Sequence, residues 1–128
     1  MVLRFVPRVL LCLLCLLALP VGCSGTDESS VPPWADGMAT VREADLPAEA
    51  RDTLALIDRG GPFPYERDGS VFGNFERLLP TRERGYYREY TVRTPGSPDR
   101  GARRIVTGRG GETYYTDDHY DSFRAVLR

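Results

Sequence analysis

The sequence predicts an α+β fold in which one N-terminal helix packs on a twisted antiparallel β-sheet. Two observations support this. A single apolar stripe with helical spacing occurs near residue 50, and five short segments rich in β-branched and aromatic residues follow it. Gly- and Pro-containing turns separate these segments, and strands joined by short loops pair antiparallel. The 128-residue chain is long enough for one such domain after a targeting segment.

The N-terminus has the pattern of a signal peptide over residues 1–22. Arg4 and Arg8 precede an apolar run, residues 9–19, that is shorter than the roughly 20 residues a membrane-spanning helix needs. The pattern predicts export, so we expect an extracellular protein. Cys23 follows the small residue Gly22, as in bacterial lipoprotein signals. A lipid on Cys23, as first mature residue, would anchor the protein to the outer face of the membrane and is the alternative to release.

The next segment is polar and poor in core-forming residues. Residues 23–41 consist largely of Gly, Ser, Thr, Asp and Pro, with one Trp34. Such a composition buries too little apolar surface to order itself, so we predict a flexible linker over 23–41 and a domain over 42–128. Whether Trp34 docks on the domain is left open.

The helix is predicted over residues 47–59. Pro47 and an acidic residue follow the cap candidate Asp45, which is typical of a helix start. Ala50, Leu54 and Ile57 form one apolar stripe, and a Gly-Gly pair ends the helix.

The strands are predicted from alternating patterns between turn signals. The segment Tyr86–Thr94 (YYREYTVRT) is the clearest, because it alternates and is rich in Tyr, Thr and Val. The other predicted strands are 70–74, 102–107, 112–116 and 122–127.

Composition excludes several classes of site. All three Cys residues lie within the first 23 positions, so the domain has no disulfide, Cys-based zinc site or thiol nucleophile. The formal charge is −1, which argues against broad, non-specific coating of nucleic acid but allows a local basic site. We expect no metal and no cofactor, and a monomer.

Charged residues in or beside the best strands suggest a reaction. They are Glu89, the arginines of the segment 100–104, and the single histidine, His119. A carboxylate can remove a proton, an imidazolium can donate one, and guanidiniums stabilise charge on phosphate oxygens. RNA carries its own nucleophile in the 2′-hydroxyl, so this set suits phosphodiester cleavage. Solvated faces with ordinary ion pairs remain the simpler alternative for each residue taken alone.

Longer stretches of the domain resemble one family. They include DLPAEARDTLALI, DGSVFGN, GYYREYTVRTPG, RGARRIVTG and YYTDDHY. Together they resemble the small secreted bacterial ribonucleases specific for guanine, of the barnase and Streptomyces RNase Sa type. The resemblance implies a metal-independent endoribonuclease that cleaves single-stranded RNA 3′ of guanosine through a 2′,3′-cyclic phosphate to a 3′-phosphate.

The resemblance also implies roles for individual residues. Glu89 matches the general base and His119 the general acid, while Arg100 and Arg104 match arginines that bind the phosphate. Tyr120 matches a tyrosine on the phosphate side. Guanine recognition is implied for a second set of residues: Val71, Phe72, Gly73, Asn74, Phe75 and Glu76.

Three positions depart from the family pattern. Gly73 stands where close relatives have Gln, Phe75 where they have an Arg that flanks the base, and Arg88 where they have a His beside the general base. These departures, with the candidate anchor, keep an alternative open: a catalytically weakened cell-surface domain that binds RNA, nucleotides or an inhibitor. The resemblance further implies a barstar-like inhibitor protein as a partner.

Overall fold

The computed structural model describes residues 31–128, and the predicted signal peptide, Cys23 and the first part of the predicted linker lie outside them. One helix, α1 (Ala48–Arg59), precedes most of a six-stranded sheet. The strands are β1 (Thr40–Arg42), β2 (Ser70–Phe72), β3 (Tyr87–Thr91), β4 (Arg104–Gly108), β5 (Thr113–Thr116) and β6 (Arg124–Leu127). The predicted α+β class is confirmed.

The sheet has the order β1-β6-β5-β4-β3-β2. The five predicted strands, β2 to β6, form an antiparallel meander in which each strand pairs with the next along the chain. The sixth strand, β1, pairs parallel to β6, with Thr40 opposite Ala125. The sheet is therefore mixed rather than purely antiparallel.

The linker prediction is wrong for residues 31–41. A 3-10 turn forms at Pro33–Ala35, Ala35 is fully buried, and Trp34 packs edge-on against Tyr114 at 5.4 Å between ring centroids. The Ala39 carbonyl accepts a 2.8 Å hydrogen bond from the Ala125 amide of β6, and residue 39 directly precedes β1. Tyr114 and Ala125 lie 80 or more residues away in the sequence, so local composition could not reveal the ordering.

Helix α1 follows the predicted pattern closely. Gly60 ends it with φ 81°, and the Gly60 amide donates to the Ile57 carbonyl, which is the left-handed cap that glycine adopts without steric cost. Ala50 and Leu54 of the predicted stripe are fully buried. No helix within residues 31–128 is both long and apolar enough to cross a membrane.

Both faces of the central strands are buried. On the helix side, Leu54 packs in one cluster with Ile105, Tyr115 and Val126. On the other side, the residues next to these three in sequence form a second cluster: Val106, Tyr114 and Ala125, with Ala35, Leu79 and Tyr87. Alternation along each strand thus divides the core into two layers. The helix covers one layer, and Ala35 and Leu79 contribute to covering the other.

The C-terminal residue is held by two carboxylates. Arg128 Nη2 lies 2.6 Å from Asp58 Oδ2 on α1, and Arg128 Nε lies 3.0 Å from Glu43 Oε2. The hydrogen bond from Arg128 lowers the pKa of Asp58 and raises that of Arg128. These contacts tie the end of the chain beyond β6 to the helix.

Candidate active site

Strand register brings the predicted general base and one predicted phosphate ligand to the same face. Glu89 on β3 lies opposite Val106 on β4, and Arg104 on β4 lies opposite Thr91 on β3. Residues two apart on a strand share a face, so Glu89, Thr91 and Arg104 all face away from the helix. Residues diagonally opposite in an antiparallel pair are about 7–8 Å apart, which allows one substrate to contact both Glu89 and Arg104.

Arg104 is a buried cation with spare hydrogen-bonding capacity. It is 2% exposed, and its Nη1 donates to the carbonyls of Gly101 (3.0 Å) and Arg103 (2.7 Å). Its Nε has no hydrogen-bond partner within residues 31–128. A buried guanidinium with an unused donor is costly unless an anion reaches it. It makes no ion pair among the described residues, so it is available to bind a phosphate oxygen.

The loop before β4 positions Arg100. Its Nη1 donates a 2.8 Å hydrogen bond to Thr91 Oγ1, two residues along β3 from Glu89. Gly101 makes this loop possible, because its φ is 69° and a Cβ there would lie 2.4 Å from Thr94 Oγ1. The geometry places a second guanidinium beside the strand that carries Glu89.

His119 and Tyr120 lie in the loop between β5 and β6, where a compact hydrogen-bond network fixes their backbone. Thr116 Oγ1 accepts from the Tyr120 amide at 3.1 Å and donates to Asp118 Oδ1 at 2.8 Å. Asp118 also accepts hydrogen bonds from Ser122, which lower its pKa. Both His119 and Tyr120 adopt positive φ (58° and 75°), a conformation this network holds in place.

Tyr120 connects the members of the site. Its ring lies 5.0 Å from the His119 ring, and the Arg104 guanidinium carbon lies 5.9 Å from its centroid. Burial, followed by the negative charge of Glu89, raises the pKa of Tyr120 to about 12, while Arg104 acts in the opposite direction. The phenol therefore stays protonated at neutral pH, between the carboxylate and the guanidinium.

Buried tyrosines also make the fold sensitive to alkali. Burial raises the pKa of Tyr115, and also those of Tyr87 and Tyr114. The native state then keeps protons that the unfolded chain releases above pH 10. The free energy of unfolding is therefore expected to be unaffected by these groups below pH 10. Above pH 10, each of these tyrosines should lower the free energy of unfolding by up to about 1.4 kcal/mol per pH unit.

Tyr115→Phe tests this expectation away from the candidate site, because Tyr115 lies in the helix-side cluster and its hydroxyl is buried without a hydrogen-bond partner among the described residues. Urea unfolding at pH 7, 9, 10 and 11 should show equal or higher stability of the variant at pH 7, and a smaller loss above pH 10. An identical alkaline loss in both proteins would contradict the burial argument.

Asn74 organises the loop after β2. Its side-chain Nδ2 donates to the Leu79 carbonyl at 2.9 Å, and its Oδ1 accepts from the Leu79 amide at 3.1 Å. The Asn74 side chain thus forms with Leu79 the pair of hydrogen bonds that a backbone residue of a neighbouring strand would form. Asn74 itself adopts a positive φ of 52°. Within the described part of the chain, the amides of Asn74, Phe75 and Glu76 donate no hydrogen bond, so three consecutive donors remain available.

This loop and the β5–β6 loop enclose a cleft of about 150 Å³. Its lining residues are Phe72, Asn74, Phe75, Glu76, Leu78, Tyr120 and Phe123. Phe72 stacks on Tyr120 with 5.1 Å between ring centroids, and its edge contacts Phe123. Glu76 forms no ion pair within residues 31–128. The cleft therefore combines aromatic walls with one unpaired carboxylate.

Phe75 and Gly73 form a matched pair at the edge of this cleft. The Phe75 side chain is 90% exposed, and its ring lies over Gly73 so closely that a Cβ at residue 73 would be 2.5 Å from Cε2 of the ring. The two departures from the family pattern are thus neighbours in space: the ring at 75 occupies the space that a side chain at 73 would need. Val71 and Gly73 line a neighbouring cleft on the other side of Phe75.

The predicted residues therefore divide into three groups. Glu89, Arg100, Arg104, His119 and Tyr120 come together on and beside the sheet. Phe72, Asn74, Phe75 and Glu76 line the adjoining cleft, whereas Val71 and Gly73 do not. Leu78 and Phe123 also line the cleft, although neither was predicted from the sequence. Phe123, in the SF pair before β6, is an aromatic next to the histidine loop, a signal that could have indicated it.

Two further arginines lie outside the site. Arg103 Nη1 lies 3.3 Å from Glu49 Oε1 on α1, on the opposite side from Arg104. Arg88, next to Glu89 on β3, donates to the Gly69 carbonyl at 3.2 Å and is in register with Val71 on the other face. Among residues 31–128, no cluster of three or more His, Cys, Asp or Glu side chains is arranged to hold a metal ion.

A family model described as ribonuclease matches residues 31–127. The chain belongs to this ribonuclease family. The match begins at the first described residue and so includes the segment 31–41 that the composition had suggested was a linker.

Curated relatives of this ribonuclease are similar over most of the domain. It is 59% identical over 91 residues to guanyl-specific ribonuclease St of Saccharopolyspora erythraea, covering 71% of this chain and 90% of that protein. It is 55% identical over 92 residues to guanyl-specific ribonuclease Sa of Kitasatospora aureofaciens, covering 71% of this chain and 96% of that protein.

Solved structures agree with this assignment. A crystal structure of ribonuclease Sa2 with guanosine-2′-cyclophosphate matches with a TM-score of 0.68 and 53% identity over 70% of this chain and 96% of that one. A ribonuclease Sa2 structure with 3′-GMP matches with a TM-score of 0.66 and 51% identity, covering 70% and 97% of the two chains.

Proposed function

We propose that this chain is an exported guanyl-specific endoribonuclease that cleaves single-stranded RNA on the 3′ side of guanosine. One observation carries the proposal. Tyr120 lies among a carboxylate, a histidine and an arginine, directly beside an aromatic cleft that holds an unpaired carboxylate. A second arginine, Arg100, is held by Thr91 on the strand that carries Glu89. The names of the relatives, guanyl-specific ribonucleases, support the same reaction.

The first step is an intramolecular transfer. Glu89 removes the proton of the guanosine 2′-hydroxyl, whose oxygen attacks the adjacent phosphorus. His119 donates a proton to the departing 5′-oxygen of the next nucleotide. The products are a 2′,3′-cyclic phosphate and a free 5′-hydroxyl. In the second step the roles are exchanged. His119 removes a proton from water, whose oxygen attacks the phosphorus. The bond between phosphorus and the 2′-oxygen breaks, Glu89 protonates that oxygen, and a 3′-phosphate results.

The arginines stabilise charge on the phosphate. Arg104 is buried and offers its unused Nε donor, and Arg100 is held beside β3 by Thr91. Guanidinium donors already in place for the developing negative charge cost no reorganisation during the reaction. Tyr120, protonated at neutral pH, supplies a further donor on the same side. Because the nucleophile comes from the substrate and the arginines balance the charge, no metal is required.

Guanine is recognised in the cleft lined by Phe72 and Glu76. The Glu76 carboxylate accepts from N1–H and the exocyclic amine, a pair of donors that adenine does not present in this arrangement. The free amides of residues 74–76 serve O6. Phe72 covers one face of the base, and base stacking on an aromatic side chain contributes about 1–3 kcal/mol. Phe75 replaces the flanking arginine of the family pattern and covers the opposite face.

Export and partners are part of the same proposal. The signal-like segment 1–22 leads the protein out of the cell, and release or a lipid anchor at Cys23 are its two outcomes. The monomeric state and a barstar-like inhibitor that covers the arginine cluster remain predictions. An inhibitor of this kind would be acidic, because the surface it must cover carries Arg100 and Arg104.

Cleavage of dinucleotides tests the function directly. With EDTA present, the purified protein is expected to convert GpC to the cyclic phosphate and to cleave ApC on the order of 10²-fold or more slowly. Liquid chromatography of the products measures both rates. A folded protein that cleaves neither substrate but binds 3′-GMP would favour the alternative of a catalytically weakened binding domain.

A further inference from the structure

A second cleft lies on the far side of Phe75. It has a volume of about 300 Å³, at the lower end of the range for ligand sites, and its lining residues are Val71, Gly73, Phe75, Arg82 and Arg84. Phe75 lines both this cleft and the cleft of Phe72 and Glu76 that is proposed to bind guanine, so its ring lies between the two. The reaction proposed above uses only one side of this ring.

The walls of the second cleft suit a nucleobase. Val71 and Phe75 are 40% and 90% exposed, so both present apolar surface to this cleft. Gly73 lets the Phe75 ring lie against the backbone, where a side chain at 73 would displace it. The outer face of the Phe75 ring is thus exposed and available for stacking.

The cleft also carries unpaired positive charge. Among residues 31–128, Arg82 and Arg84 form no ion pair, and the Arg82 guanidinium carbon lies 5.3 Å from the Tyr86 ring centroid. The acidic residue between them, Glu83, is bound by Arg109 at 2.9 Å instead. In a chain of net charge −1, two neighbouring arginines without a carboxylate partner are complementary to an anion.

We propose that this second cleft binds the nucleotide on the 5′ side of the guanosine in the RNA substrate. Its base stacks on the outer face of Phe75 and packs against Val71, and its phosphate lies near Arg82 and Arg84. The inference rests on the proposed function. The 3′ phosphate of the guanosine is held by the catalytic groups, so the substrate continues past His119 in that direction. The part of the RNA that can reach the second cleft is therefore the nucleotide on the 5′ side of the guanosine.

Binding of substrate analogues that cannot react tests the proposal. The 2′-deoxy dinucleotide d(GpC) and trinucleotide d(ApGpC) lack the nucleophile, so titration calorimetry measures affinity alone. The full protein is expected to bind d(ApGpC) about 5- to 150-fold more tightly than d(GpC), the range that stacking one base allows. For the ribonucleotides, kcat/KM of ApGpC should exceed kcat/KM of GpC by the same factor.

A double variant locates the effect. Arg82→Gln with Arg84→Gln should reduce the trinucleotide-to-dinucleotide ratio several-fold and make it less dependent on salt. Arg51→Gln with Arg59→Gln is the matched control, because it removes the same charge from exposed positions on α1, across the sheet from the site. This control should keep the wild-type ratio.

The outcomes separate the two proposals. If wild-type protein cleaves GpC but binds the two analogues equally, the second cleft is not a nucleotide site while the proposed function stands. If both double variants reduce the ratio equally, the gain comes from overall charge and the assignment to this cleft is overturned. If GpC is neither cleaved nor preferred over ApC, the proposed function fails and the inference fails with it.

Discussion

Replacement of His119 by Gln is expected to lower kcat/KM for GpC by about 10²- to 10⁴-fold, the usual contribution of a general acid. His119 is exposed and lies in a loop held by Thr116, Asp118 and Ser122, so the fold should survive. Steady-state cleavage and thermal unfolding of the same preparation provide the measurement. Substantial residual activity would refute the assignment of His119 as the acid.

Two comparisons make the test specific. His119→Asn should keep the backbone better than His119→Gln, because residue 119 has φ 58° and Asn tolerates the left-handed region. Both variants should lose similar activity if the imidazole is what matters.

A guanosine 3′-(4-nitrophenyl phosphate) substrate has a leaving group that needs no proton. Its cleavage should fall far less, whereas a merely disrupted site would lose both substrates equally.

Replacement of Glu76 by Ala is expected to reduce the preference for GpC over ApC by on the order of 10²-fold. Hydrogen bonds to a charged group contribute about 1.5–3 kcal/mol each, and the proposed contact to guanine has two of them. Glu76 is exposed and unpaired within residues 31–128, so its loss should leave the unfolding temperature nearly unchanged. The ratio of kcat/KM for the two dinucleotides is the measurement.

Matched variants separate recognition from charge. Glu76→Gln keeps the shape but replaces one acceptor with a donor, so it should lose nearly as much preference as the alanine variant. Glu66→Ala removes an equally exposed carboxylate outside the cleft and should keep the wild-type ratio. Unchanged selectivity in both Glu76 variants would show that the base is recognised elsewhere.

The sequence pattern was sufficient to predict an element where the interactions that stabilise it lie close together in the sequence. Pro47, the stripe of Ala50 and Leu54, and Gly60 act within one helix, and the predicted range 47–59 differs from α1 by a single residue. The strand segment around Glu89 was identified by its alternation. It ends at Thr91 rather than Thr94, because Arg93 and Thr94 have no partners on β4.

Distant pairing explains what the pattern missed. Strand β1 has three residues and carries no alternation of its own, so only β6, more than 80 residues later, makes it a strand. Ala35 is buried and Trp34 half-buried for the same reason, because their contacts are supplied by β5 and the core behind it. A short segment whose partners are distant cannot be distinguished from a linker by composition.

Local patterns in the sequence were enough to predict the fold class, the helix and the chemical groups available for a reaction: one imidazole, carboxylates, and arginines without any lysine. Which of these groups lie together depends on how distant strands pair. Register places Glu89 and Arg104 on one face and turns Arg103 toward the helix, although Arg103 and Arg104 are adjacent in sequence. The three-dimensional structure also shows that Phe75 lines two clefts and that its ring occupies the space above Gly73. Composition states which groups exist, but distances between groups on different strands follow from how the strands pair.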